Sequence, residues 1–131
     1  MEINELVKAV HKTAVSKGWW EKDRNPLEIY SLIHSEISEA VEEARLGVGS
    51  VYYKAPDGLA VSIYDGVGKH NKPAELFKIG YKPEGELIEL ADAVIRIADY
   101  CGRMGWNLED AIKLKMSYNE TRPHRHGGKK Y

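Results

Sequence analysis

The chain has 131 residues, 43% of them hydrophobic and 30% charged, with a formal net charge of −1. That balance suits a packed domain and excludes a disordered segment; it gives no reason to expect binding to long nucleic acid. No apolar run approaches the roughly 20 residues that a membrane-spanning helix needs. Met1–Glu5 has neither the basic nor the apolar region of a secretory signal, so a cytoplasmic protein is expected. Cys101, the only cysteine, has no disulfide partner within the chain and lies in an apolar run, as a small buried hydrophobe would.

Residues 3–17 place Ile3, Leu6, Val7, Val10 and Ala14 at helical spacing, with Gly18 to end the helix. Trp19 and Trp20 follow, then a polar stretch to Asn25-Pro26, an N-cap and first-turn proline for a second helix running to Leu46 and ending at Gly47. Residues 47–85 change character, with seven glycines and three of the five prolines. Two β-favouring runs, 51–54 and 59–64, flank Ala55-Pro56-Asp57-Gly58, a hairpin turn signal. This stretch reads as a hairpin and loop inserted between helices, too short to bury a core of its own. A third helix is expected from Gly85 to about Arg103, and a fourth, capped by Asn107, from there to near Pro123. Residues 121–131 form a basic tail. The fold class expected is all-α: a four-helix bundle in a single domain over 1–131, with the small hairpin insertion at 47–85.

Charge is distributed unevenly. Residues 28–43 hold Glu28, Glu36, Glu39, Glu42 and Glu43 with no lysine or arginine, whereas the last ten residues hold Arg122, Arg125, Lys129 and Lys130 beside His124 and His126. At about 100° per residue, Glu36 projects between Ile29 and Leu32, on the inward side of the second helix. Glu43 lies nearly above it, Glu39 stands on the same flank, and Glu42 and His34 turn toward water. Carboxylates at a core edge are costly unless paired or bound to a cation. In the third helix, Glu89-Leu90-Ala91-Asp92 repeats the spacing beside a wide apolar arc of Leu87, Ile88, Leu90, Ala91, Val94, Ile95, Ile97, Ala98 and Cys101. Such an arc predicts a helix buried on most sides. Asp92 borders the arc, while Glu89 is expected farther out, on the stripe with Arg96 and Arg103, where solvent-facing ion pairs account for it equally well. A di-iron site would want Glu-x-x-His pairs; here the partners are Glu39 and Asp92, and an oxygen-only set favours Mg²⁺, or Mn²⁺, over iron or zinc.

The run Leu32-Ile33-His34-Ser35-Glu36-Ile37-Ser38-Glu39-Ala40-Val41-Glu42-Glu43, followed by Glu89-Leu90-Ala91-Asp92, resembles the all-α NTP pyrophosphohydrolase superfamily, in particular MazG-like proteins. Lys82-Pro83-Glu84-Gly85 and Lys115–Pro123 with the Gly-Gly-Lys tail are similar as well. The resemblance covers most of residues 20–130. It implies Mg²⁺-dependent hydrolysis of a nucleoside triphosphate, a deoxynucleotide or non-canonical one, between the α- and β-phosphates, with Glu36, Glu39, Glu89 and Asp92 as metal ligands. Glu39, or else Glu43, is the candidate general base. Lys115, Asn119 and Arg122, at i, i+4 and i+7, with Arg125 and Lys129 beyond them, are the candidate phosphate-binding groups, and Gly127-Gly128 would permit close approach to phosphate oxygens. Trp19 and Trp20 are candidates for stacking on a base, and Tyr52, Tyr53 and Tyr64 for closing over it. Apolar surface in excess of what four short helices cover predicts a homodimer or homotetramer. The alternative is a non-catalytic helical module that binds metal or nucleotide or serves as an oligomeric scaffold.

Overall fold

The computed structural model describes residues 2–62 and 73–123. Tyr64, His124, Arg125, His126, Gly127, Gly128 and Lys129 lie outside the described residues. The elements run α1 (Ile3–Ser16), α2 (Pro26–Leu46), β1 (Tyr52–Lys54), β2 (Ala60–Ser62), α3 (Pro73–Lys78), β3 (Lys82–Glu84), α4 (Glu86–Met104) and α5 (Leu108–Thr121). The chain is therefore mostly helical, and none of its helices among the described residues is long and apolar enough to cross a membrane.

Helix ends fall where local chemistry places them. The Asn25 side chain accepts a hydrogen bond from the Leu27 N–H at 2.8 Å, Pro26 opens α2, and Gly47 closes it in the left-handed conformation. The Asn107 side chain accepts from the Asp110 N–H at 3.0 Å and caps α5. At the expected hairpin, Ala55 N–H donates to the Leu59 carbonyl at 2.8 Å and the Asp57 side chain accepts from the Leu59 N–H at 3.0 Å. The insertion is richer than a hairpin, however. A third strand, β3, pairs antiparallel with β1 to give the order β2-β1-β3, and the short helix α3 precedes it. Lys82-Pro83-Glu84 lacks alternating apolar residues, so its pairing is a tertiary outcome.

The described residues form two compact units, one within Met1–Asp23 and Ala98–Tyr131, the other within Arg24–Ile97, so that α4 contributes to both. In the first, Val7, Ala98 and Cys101 are buried, with Val10 and Leu108 packed on them; Cys101 is thus the buried hydrophobe expected, its thiol pushed up by burial. In the second, Ile29 and Ala40 of α2, Tyr52 and Tyr53 of β1, and Ala93 of α4 are buried. Tyr53 meets Phe77 edge to face, with ring centroids 6.2 Å apart. Both tyrosines face inward, which corrects the expectation that they close over a ligand.

One glycine governs how the sheet joins α4. Gly85 has φ +121°, and a Cβ there would lie 2.4 Å from the Ser50 carbonyl oxygen, which accepts the Leu87 N–H in the first turn of α4 at 2.9 Å. Gly85→Ala is expected to destabilise the protein by about 3 kcal/mol, combining left-handed strain with a clash against backbone. Gly105→Ala, with φ +70° but open space around its Cβ, should cost only about 1 kcal/mol. Urea midpoints of the two variants check this, and equal losses would refute the backbone contact at Ser50.

The wide apolar arc of α4 is not buried on most sides. Leu87, Leu90, Val94, Ile95 and Ile97 are exposed, and the buried positions are Glu89, Ala93, Ala98, Asp99, Tyr100 and Cys101. The physical reason is that small residues and acids face the neighbouring elements, while the bulky aliphatic residues occupy the opposite side of the helix.

Candidate metal centre

Three elements of the Arg24–Ile97 unit, α2, β3 and α4, supply carboxylates to one region, and β1 adds the Tyr52 hydroxyl that bonds to one of them. Glu36 is buried at 6% exposure, on the inward side where helical spacing puts it. Glu89 is buried at 8% exposure, which corrects the sequence expectation of an outer stripe. The helical-wheel argument failed because α4 turns its small residues inward, and Glu89 shares the side of Ala93 one turn on.

One carboxylate oxygen from each of Glu36, Glu89 and Asp92 falls within 4.8 Å of the others. Glu39, though exposed, lies near enough to Glu36 and Glu89 for their carboxyl groups to perturb one another's ionisation. The four acids singled out by spacing therefore converge. A second group, Glu43, Glu84 and Glu89, meets the same 4.8 Å limit. Glu84 was missed from sequence, since it stands outside both helices. The one available signal was its place in Lys82-Pro83-Glu84-Gly85, directly ahead of α4.

The acids are not equivalent electrostatically. Burial works upward on Glu36, but the Arg96 Nε–H donates to it at 2.7 Å, and that bond and charge hold its carboxyl below the usual range. Burial, then Glu39, pushes Glu89 up to about 8. Asp92 is raised by burial and the charge of Glu36, against the opposing pull of Arg96. Glu39 is raised chiefly by its hydrogen bond with Glu36. Arg96 thus compensates Glu36 directly, at 2.7 Å, and Asp92 more weakly. Glu43 is fixed by the Tyr52 hydroxyl, which donates to its two oxygens at 3.1 and 2.9 Å, and burial with this neighbour pushes the phenol up to about 12. Sequence did not foresee either the Arg96–Glu36 or the Tyr52–Glu43 pair. Among the described residues the donor set is all carboxylate, which fits a hard, oxygen-seeking divalent cation such as Mg²⁺ or Mn²⁺.

The phosphate-binding and stacking candidates among the described residues, Lys115, Asn119, Arg122, Trp19 and Trp20, lie in the first unit. Lys115 and Arg122 of the α5 segment lie over the Tyr118 ring, at 4.8 and 5.6 Å from its centroid, and Asn119 is exposed beside them. Trp20 donates its indole N–H to both oxygens of the buried Asp99, at 2.9 and 3.1 Å, while His11 Nδ1 lies 2.8 Å from the same carboxylate. Arg103 lies over the Trp20 ring at 5.1 Å, so the ring expected to stack on a base already has its N–H and a face engaged. Trp19 is half-buried. His34 and Glu42 face water, as expected, with Glu42 3.6 Å from Arg45. No family model, no curated protein and no solved structure matches this chain.

Proposed function

We propose that the protein is a Mg²⁺-dependent nucleoside triphosphate pyrophosphohydrolase of the MazG-like type, which releases pyrophosphate and a nucleoside monophosphate. The observation that carries this reading is Glu89: a carboxylate more than nine-tenths buried, facing other carboxylates from α2 and α4. A fold keeps so costly a group where a cation relieves the cost.

In this reading Glu36, Glu89 and Asp92, with Glu39, would hold Mg²⁺, and the chemistry the ion would supply when bound is charge neutralisation and Lewis-acid activation of the triphosphate. Arg96 holds Glu36 ionised and in place. Glu39, the exposed member of the set, takes a proton from the attacking water. The water oxygen bonds to the α-phosphorus as the bond to the bridging oxygen of the β-phosphate breaks, and pyrophosphate departs. Lys115, Asn119 and Arg122, with Arg125 and Lys129, remain the candidate phosphate-binding groups of this reading. The exposed aliphatic residues of α4, with Tyr30, Ile37 and Val41 of α2, support assembly as a homodimer.

The test is incubation of the purified chain with Mg²⁺ and a panel of ordinary and modified NTPs and dNTPs, assayed separately for pyrophosphate and orthophosphate. Pyrophosphate with matching monophosphate is expected for at least one substrate. Orthophosphate alone would exclude cleavage at the α-phosphorus, and no turnover on the whole panel would favour a non-catalytic binding module.

A further inference from the structure

We draw no further inference here: the strongest candidate, the side-chain cluster of His11, Trp20 and Asp99 that ties α1 and the turn after it to α4, is closed on itself, with the Trp20 N–H and His11 Nδ1 both bonded to the Asp99 carboxylate and Arg103 over the Trp20 ring, and nothing in the structure shows a ligand that it would take.

Discussion

Glu89→Gln is expected to yield a protein that is more stable than wild type at alkaline pH without divalent cations, and inert with them. Glu89 is raised in the folded state to about 8 by burial and by Glu39, against about 4.3 for a free glutamate. The folded chain therefore holds this proton more tightly than the unfolded chain. Its stabilising contribution is complete below about pH 4.5 and is lost as pH rises through about 8, at up to about 1.4 kcal/mol per pH unit. Asp92 and Glu39 are shifted in the same direction, so they add to the slope. Glutamine keeps the shape and cannot ionise, so thermal melts in EDTA between pH 5 and 8.5 should fall less steeply for the variant. With Mg²⁺ the order reverses: wild type gains stability as pH rises, the variant gains little, and turnover drops on the order of 10³-fold or more for a lost ligand. Glu36→Gln should behave differently. Glu36 is already compensated by Arg96 at 2.7 Å, so its loss should cost stability, about 2 kcal/mol, even without a cation. Near-normal turnover in Glu89→Gln would remove this acid from the cation site.

Val94→Asp is the second large expectation, and it separates a single chain from an assembly. Val94 is 51% exposed within one chain, where a charge should change stability by no more than about 0.5 kcal/mol. It is one of four exposed aliphatic residues, Leu87, Leu90, Val94 and Ile97, whose spacing of three, four and three residues is that of a helix-packing seam. Tyr30, Ile37 and Val41 of α2 are exposed at spacings of seven and four. A second copy burying that seam would place an unpaired carboxylate in apolar contact, costing several kcal/mol. Light scattering should report a dimer for wild type and a monomer for Val94→Asp, with the far-ultraviolet spectrum retained. Identical masses for the two proteins would show that the seam is not the subunit interface.

The sequence by itself determined whatever depends on neighbours within a turn or two of helix. Asn25-Pro26 and Gly47 bounded α2, Asn107 capped α5, and Asp57-Gly58 made the hairpin, because a capping side chain or a left-handed residue acts on backbone groups two or three positions away. Helical periodicity likewise put Glu36 inside, since 3.6 residues per turn relates it directly to Ile29 and Ala40 on the same helix. Tertiary structure decided the rest. Glu89 looked like part of a solvent-facing stripe, and only the packing of small residues such as Ala93 toward the neighbouring elements made that side the buried one. Glu84 entered the cluster through a strand with no apolar alternation to announce it, paired to β1 across about 30 residues of chain. Tyr52 and Arg96 became the partners of Glu43 and Glu36 through bonds that span 9 and 60 residues. Spacing named four acids, because spacing is a property of a helix. How many acids meet, and which of them lacks a counter-charge, is set by contacts between elements, where a period of 3.6 carries no information.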